Sequence, residues 1–515
     1  MPLNKTYRQV LDQADAIELV LNIPSFAGGE NTVGQDQELK SNEARVIENW
    51  DSDSLGGMIR SKGFTSICTG GTTYSAAPDC LLHHYEGSST RDYVVVGGDL
   101  ARINGTAITQ TDASAFTSGV LTCGLSAGNK AFFTNSTDNL KYTTIAGTIA
   151  AGTTSPASAR ERIYFHKSRL VAEGGGVTVY GSKAGSGNWV GAGGWNTSGD
   201  AWNIDLPDLT QGCAPGFPSG GQITVFTKFG AYALTNIPNV AQNYILGSHG
   251  CSHPYSIQVG AEGVYLFSLY PTLGVFLWNG STWTNLTVNE TWVNQVSLTN
   301  RCFGVYSENK YRIIYNDSTS GVSYPNVCRM YDARWGRWMS RPINSSVADN
   351  FGYPMLRTKA SNELYVASSR SDIIYQLEDS SDSDNTYATN ANYKTKDFTS
   401  LDFGLPRDEV KMKLLKVTID YFGSTGSFSL GWSADRGLNS GSVNTQLTAN
   451  GDLLNTTFIV NTSMLVSVPP TRTITRSFSN SAVGRRFSFQ VLNSSTGARP
   501  QIKKIKIIAI ALQES

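Results

Sequence analysis

Two histidines four positions apart, His249 and His253, have the spacing that lets both imidazoles meet one zinc ion from a helix face. Gly250 within the pair and Pro254 just after it work against a helix, and no carboxylate stands close enough to complete a ligand set. The pair therefore reads as loop or surface. His83-His84 are adjacent and His166 is isolated. Four arginines, Arg329, Arg334, Arg337 and Arg341, crowd one stretch and could clamp a carboxylate, since guanidinium groups bind carboxylates bidentately. They share that stretch with Trp335 and Trp338, which favours a structural or interface role over substrate binding. Asp51-Ser52-Asp53-Ser54 begins like a calcium loop but lacks the later ligands and the closing bidentate Glu. Gly174-Gly175-Gly176 lies between two apolar runs and opens no helix, so it predicts a turn and no phosphate cradle. Neither a Gly-x-Ser-x-Gly elbow nor a Walker sequence is present. The chain predicts no catalytic, cofactor-binding or metal-binding residues, no cofactor, and no enzyme.

The elements around these residues repeat. An apolar run, a Gly/Ser/Asn/Asp break and a second apolar run recur seven times. They pair Tyr93–Val96 with Leu100–Ile103, Ala131–Phe133 with Leu140–Tyr142, and Arg169–Ala172 with Val177–Tyr180. Ile223–Phe226 follows with Ala231–Leu234, then Val264–Phe267 with Val275–Trp278. Tyr311–Tyr315 with Val327–Tyr331 and Leu364–Ala367 with Ile373–Leu377 complete the series. A strand unit recurring at roughly 40–50 residues predicts β-propeller blades, about seven, within a range of six to eight. The N-terminal strand is placed to close the circle with the last hairpin. Three units add an aromatic, a tight polar turn and Trp: Tyr180 to Trp189, Trp278 to Trp283, and Tyr331 to Trp338. These rings are expected to fill the space between blades. Sialidase-like propellers carry a repeated Ser-x-Asp-x-Gly-x-Thr-Trp box. Phe276–Trp283 keeps Gly280, Thr282 and Trp283 but has Trp278 where the Asp belongs.

The outline predicted is all-β. Residues 1–68 form an N-terminal arm and the strand leading into the first blade, and 69–378 the propeller. A linker at 379–392, begun by acidic Asp379–Asn385, precedes a β-sandwich at 393–515. The arm is read as an amphipathic helix at Tyr7–Leu21, with a second helical stretch at Gln37–Trp50. The sandwich strands include Lys411–Tyr421, Ser427–Trp432, Phe458–Val460, Thr471–Phe478, Arg486–Val491 and Ile502–Leu512. Lys503, Lys504 and Lys506 in the last strand suit an edge or a solvated face. The 515 residues carry a formal net charge of zero and only 16% charged residues, so no global field draws nucleic acid or anionic membrane. The local basic group Arg485-Arg486, Arg499 and Lys503–Lys506 reads as a weakly positive face toward a partner. Seven scattered cysteines without a CxxC pattern predict reduced thiols. Charges at Arg8, Asp12, Asp15 and Glu18 exclude a secretion signal or membrane span over the first residues.

The stretch from Asn22-Ile23-Pro24 through Glu43-Ala44-Arg45 and Glu48-Asn49-Trp50 to Gly56-Gly57-Met58-Ile59-Arg60-Ser61-Lys62-Gly63-Phe64 resembles the opening of propeller proteins from bacteriophage virions. Lys394 through Phe403, Leu415–Tyr421, Gly431–Arg436 and Arg485–Val491 are similar to the sandwich that often follows. The resemblance is to the tail nozzle or hub proteins of short-tailed phages, of the packaged-DNA stabilisation type. It implies a homo-oligomeric ring, commonly of six copies, on the tail axis below the portal and adaptor, with tail fibre or spike proteins as further neighbours. Such a ring retains packaged double-stranded DNA and lets it leave through a channel without sequence-specific binding. It also implies a virion protein made in the cytoplasm of a bacterial host. The long arm and the distinct C-terminal domain depart from simpler members.

Two other readings compete. A host-receptor protein would bind a surface glycan, with Trp195, Trp202 and Tyr255 as exposed rings for sugar stacking. A glycan-cleaving propeller enzyme would need the converging acids and arginines that the sequence does not assemble.

Overall fold

All seven hairpins form, because each places a turn-tolerant residue between two runs with alternating apolar positions. Gly97-Gly98 and Gly174-Gly175 are two such turns, with positive φ at each of these residues. The computed structural model describes residues 18–512 except 24, 27, 34–38, 41, 53–56, 69–73, 146–148, 152–159, 186–188, 191–192, 196–199, 300, 343–349, 358–362, 379–382, 385–386, 423–425, 448–471 and 495–500. Two units make up the chain, one of residues 64–334 and 347–379, the other of residues 1–63, 335–346 and 380–515.

The first unit is a β-propeller of antiparallel sheets. Sheet I holds Pro78–Glu86, Ser89–Val96, Asp99–Asn104 and Ala107–Asp112; sheet II holds Thr122–Ala127, Lys130–Asn135, Lys141–Thr143 and Ala150–Ala151. Sheet III runs through Arg162–His166, Arg169–Glu173, Thr178–Gly181 and Trp202–Asp205. Sheet IV contains Thr210–Pro215, Ile223–Thr227, Ala231–Thr235 and Ala241–Tyr244, and sheet V contains Gln258–Val259, Val264–Ser268, Gly274–Trp278 and Trp283–Asn285. Sheet VI contributes Cys302–Ser307, Lys310–Tyr315 and Val327–Asp332 to this unit. Sheet VII is Phe351–Arg357, Glu363–Ser368 and Ile374–Leu377, finished by Phe64–Cys68 from the start of the unit.

The innermost strands touch in order around a closed ring, from Pro78–Glu86 to Phe351–Arg357 and back, with the 3₁₀ turn Pro254–Ser256 standing between the inner strands of sheets IV and VI. Apolar side chains fill the gaps between neighbouring sheets. Phe132, Ile163, Leu170, Trp189 and Trp195 pack sheet II on sheet III; Val171, Val179, Trp202, Cys213 and Val225 pack sheet III on sheet IV. Trp278 stacks on Trp283 at 5.0 Å and joins the layer between sheets IV and V. Burial of each large side chain contributes roughly 1.5–3 kcal/mol, so these layers are the main cohesive term.

The second unit contains two sheets. In one, Gln501–Ala511 is central, flanked by Met412–Phe422 on one side and by Glu18–Ile23 and Met58–Arg60 on the other. Arg472–Ser477, Val483–Gly484 and Trp50–Ser52 extend it. The other sheet runs Arg337–Ser340, Ala44–Glu48, Ala391–Thr395, Phe487–Asn493, Gly426–Ala434 and Asn439–Leu447. Asn49 turns the chain from one sheet to the other at φ 54°, a conformation that Asn tolerates better than most residues. Its amide donates to the carbonyls of Pro342 (3.1 Å) and Asn390 (2.6 Å), and its oxygen accepts from Arg341 Nη1 at 2.6 Å.

Several expectations give way here. Glu18–Leu21 is strand and not helix, because Leu19, Leu21 and Ile23 alternate and bury against Ile505–Ile510; residues 7–17 lie outside the described residues. The stretch ending at Trp50 is also extended, with Ala44–Glu48 paired to Ala391–Thr395. Among the described residues the helical elements are three 3₁₀ turns, Pro254–Ser256, Trp292–Gln295 and Asp435–Gly437. The Lys-bearing last strand is interior to its sheet, not an edge, and Lys503, Lys504 and Lys506 stay half-buried between buried Ile502, Ile505 and Ile507. Within 379–392, Ser383–Asp384 and Tyr387–Ala388 form a small ladder, and Asp384 is buried on Arg341. Phe458–Val460 lies outside the described residues.

Candidate functional site

The inner strands of the propeller begin around one end of its axis, and the residues just before and at those starts face a shared opening. Two cavities meet there, both lined by Thr299 and Arg301. One, of about 280 Å³, is lined by Leu121, Glu161, Arg162, His253 and Tyr255 among others. The other, of about 320 Å³, is lined by Phe303, Tyr324, Tyr353, Ser368 and Ser369 among others.

Arg301 spans this mouth. Its Nη2 pairs with Asp79 Oδ1 at 2.6 Å at the start of sheet I and donates to the Gly119 carbonyl at 3.0 Å ahead of sheet II. Burial raises the pKa of the Asp79 carboxyl, and the Arg301 charge opposes that rise. Tyr255, Phe303 and Tyr353 form a ring cluster behind the arginine, with centroids 5.3–6.1 Å apart. Arg162 adds a second charged assembly. Its Nε and Nη2 hold Glu173 at 2.6 and 3.0 Å, its Nη1 meets Glu161 at 2.7 Å, and Tyr164 donates to Glu173 at 3.2 Å. Glu173 is fully buried, so this carboxylate is committed to Arg162 and Tyr164 and not offered to a ligand. Chemically, the mouth presents one partly exposed guanidinium, one half-exposed carboxylate at Glu161, and hydroxyls. It can bind polar groups.

The residues singled out in the sequence take separate places. Arg329 lies over the Trp292 ring at 5.6 Å, and Arg334 pairs with Asp332 at 2.7 Å. Arg337 donates to the Phe26 carbonyl, and Arg341 meets Asp384 at 3.0 Å and the Lys62 carbonyl at 2.8 Å. The four therefore serve internal partners. His249 stacks on Phe276 at 3.7 Å, whereas His253 is buried near Phe267, its pKa pushed down to about 4 by burial. His83 Nδ1 contacts Asp92 at 2.6 Å and His84 Nδ1 contacts Ser126 Oγ at 2.9 Å, so the adjacent pair divides between partners. Asp51 is buried in the strand Trp50–Ser52, and Asp53 and Ser54 lie outside the described residues. Gly174 and Gly175 turn the hairpin at φ 99° and 69°. The sugar-stacking expectation fails for Trp195 and Trp202, which are 8% and 5% exposed in the layers between sheets. Tyr255 sits in the axial ring cluster. Arg486 pairs with Glu409 at 2.9 Å, and Arg499 is outside the described residues.

Sequence reasoning missed Asp79, Arg301 and the Arg162–Glu173 pair. For the last a signal existed: the two residues are equidistant from the Lys167-Ser168 turn and directly opposed in register. Arg301 and Asp79 meet only through ring closure, and nothing local announces them.

No family model matches the chain, and no curated protein matches it. Among solved structures, it is similar to the computationally designed Ika8 protein, at 9% identity and a TM-score of 0.36, over 61% of this chain and 99% of that one. It is also similar to the WD40 domain of Pan2 from Neurospora crassa, at 9% identity and a TM-score of 0.38, over 62% of this chain and 97% of that one.

Proposed function

We propose that the protein is a structural component of a bacteriophage tail, of the nozzle or hub type, working as a ring of identical copies, six by the resemblance. The ring retains packaged double-stranded DNA, supplies the ejection channel, and joins the portal and adaptor to fibre or spike proteins. In this reading sheets I–VII are seven blades and the two sheets of the other unit are a β-sandwich. The protein resides in the virion tail after synthesis in the bacterial cytoplasm, and it is not an enzyme.

The observation that carries the reading is the use made of the segment on which the resemblance rests. Ala44–Glu48, Trp50–Ser52 and Met58–Arg60 are built into both sheets of their unit. Asn49 is fixed by Arg341, and fully buried Arg60 donates to Asn493 at 3.0 Å. Those residues act as ties between distant parts of the chain, which suits a motif kept for scaffolding. Arg301 across the propeller mouth favours a DNA path between copies over one along each propeller's own axis. No helix among the described residues is long and apolar enough to cross a membrane.

The test is a phage particle assembled without this chain. Such particles should lose packaged DNA to added nuclease and fail to attach later tail parts, and imaging of intact particles should place the chain around the tail axis. Particles that keep their DNA and eject it normally would refute the assignment.

A further inference from the structure

One of the two cavities at the propeller mouth is built to take an anion. It measures about 320 Å³, at the lower end of the roughly 300–1,000 Å³ typical of small-ligand clefts, and its walls come from sheets VI, VII and I. Arg301 and Phe303, two positions apart, both line it, and Cys302 between them lines the other cavity, as strand alternation requires. Among the described residues Arg301 is the only charged group in this lining, and no carboxylate joins it. The rings of Phe303 and Tyr353, 5.3 Å apart, make an apolar wall, and Ser323 and Tyr324 carry hydroxyls.

Part of Arg301 is unengaged. Its Nη2 meets Asp79 at 2.6 Å and the Gly119 carbonyl at 3.0 Å, whereas Nε and Nη1 meet no acceptor among the described residues, and the side chain is 33% exposed. Those nitrogens can hold a second oxyanion through charge-assisted hydrogen bonds. The Arg370 guanidinium lies over the Tyr324 ring at 5.3 Å and adds positive charge beside the cavity. The Ser369 hydroxyl, also in the lining, is buried without a hydrogen-bond partner, a state that buried hydroxyls rarely keep. Asp79 stands close by, so a singly charged carboxylate suits the place better than a phosphate.

The same end of the propeller bears an apolar patch. Leu209, Phe229, Tyr244 and Tyr270 are each about half exposed, and Leu246 is 87% exposed. They gather on the turn Lys228–Gly230. Phe229 meets Tyr270 edge-on at 5.3 Å, and the Leu209 carbonyl accepts from the Lys228 amide. The Tyr244 ring covers Gly230 so closely that a Cβ there would meet it at 2.9 Å. Ser248, two residues after Leu246, accepts from the Ala231 amide at 2.9 Å. Lys228 Nζ lies over the Phe229 ring at 5.3 Å and has no carboxylate within ion-pair distance among the described residues. One segment joins patch and mouth: the Gly250 amide donates to the Tyr270 carbonyl, and Pro254 and Tyr255 line the cavity that shares Arg301. Five extended residues span at most about 18 Å, so one peptide can reach both. An anion pocket beside exposed rings and leucines fits a protein partner better than a free acid.

We infer that this end of the propeller docks a partner protein through an acidic anchor. A side-chain or C-terminal carboxylate of the partner sits on Arg301 in the smaller space between sheets VI, VII and I, and its apolar side chains cover the patch around Phe229. The inference does not rest on the tail reading.

The experiment uses the full chain on an array of random octapeptides, displayed both with a free C-terminal carboxylate and with an amidated C-terminus. Bound sequences should be enriched in Asp or Glu next to apolar residues, or be confined to the free-acid set. The tightest binders are then measured in solution by fluorescence anisotropy. Exchanging the acidic side chain for its amide, or amidating the C-terminus, should weaken them by about tenfold or more, and whichever does so identifies the carboxylate. Arg301→Ala combined with Asp79→Asn, which leaves no carboxylate stranded, should lower affinity by about tenfold or more. Ser323→Trp, which fills the exposed lip of the cavity, should do the same. Phe229→Ser should weaken binding by at least about threefold while keeping the preference for acid over amide. Far-ultraviolet dichroism shows that each variant folds. Binders with no carboxylate requirement, full binding by both pocket variants, or an array without binders would each overturn the assignment. Tail assembly enters none of these results, so the two readings fail separately.

Discussion

Replacing Arg162 with Met should destabilise sheet III severely, and the structure sets the scale. Arg162 and Glu173 have side chains 3% and 0% exposed, with two parallel contacts of 2.6 and 3.0 Å. Removing the arginine leaves a buried carboxylate with the Tyr164 hydroxyl as its partner at 3.2 Å. Stripping one member from a buried pair costs roughly 3–5 kcal/mol. Glu173→Leu should cost less, because Arg162 keeps Glu161 at 2.7 Å and reaches the Thr210 carbonyl at 3.5 Å. The double variant, Arg162→Met with Glu173→Leu, should return to within about 1–2 kcal/mol of the parent, since an apolar pair of similar volume replaces the ionic one. Hydrogen exchange over Arg162–His166 and Arg169–Glu173 localises the effect, and urea unfolding gives its size. If Arg162→Met costs under about 1 kcal/mol, or the double variant loses the full sum of the two singles, the buried-pair argument is wrong.

Four further outcomes follow from other contacts. Burial lowers the pKa of His84 and His253 to about 4 in the folded protein. Their contribution is therefore complete above the unfolded value near 6.5 and is lost as pH falls toward 4, by up to about 1.4 kcal/mol per pH unit for each. A pH series of unfolding curves should show that fall, and His253→Phe should flatten it. Burial raises the thiols of Cys68 and Cys123 to about 11 and Cys251 to about 12, so iodoacetamide at pH 8 should leave these three unmodified until denaturant is added. Arg301→Ala should cost about 1–2 kcal/mol, discounted because Arg301 is 33% exposed, and adding Asp79→Asn should recover most of it in thermal melts. Gly250→Ala should cost at least about 1–3 kcal/mol, because a new Cβ collides with the Lys228 carbonyl; an unchanged melting temperature would count against the backbone packing there.

The propeller hairpins were legible because their information is local. Apolar alternation and turn residues lie within a dozen or so positions, as in Val264–Ser268 against Gly274–Trp278. His83 and Asp92 were legible in principle too, being equidistant from the Gly87-Ser88 turn. The N-terminal segments were not. Leu19, Leu21 and Ile23 carry a period of two, yet Ile17 and Leu21 also fit a helical stripe, and the partner strand that decides between them is Gln501–Ala511 at the other end of the chain. Asp384 looked like a solvated linker residue because its neighbours are Ser, Asp and Asn. Only Arg341, brought close by the fold, makes it a core residue. The carboxylates and arginines of the axial mouth come from strand starts scattered along the chain, so no spacing rule could gather them.

The pairing of Phe64 with Leu377, Thr65 with Gln376, Ser66 with Tyr375 and Cys68 with Ile374 has a consequence for biosynthesis. Within the propeller unit, the strand that finishes sheet VII leaves the ribosome first and its partner leaves last. At about 5–20 residues per second the interval is roughly 15–60 s, during which Phe64–Cys68 waits without its Ile374–Leu377 partner. A transcript truncated before Ile374 yields a chain whose sheets can form individually while the circle stays open, with Phe64–Cys68 free to pair with another molecule. Translation through Leu377 is thus the latch, and a ribosome stalled before it yields a sticky product.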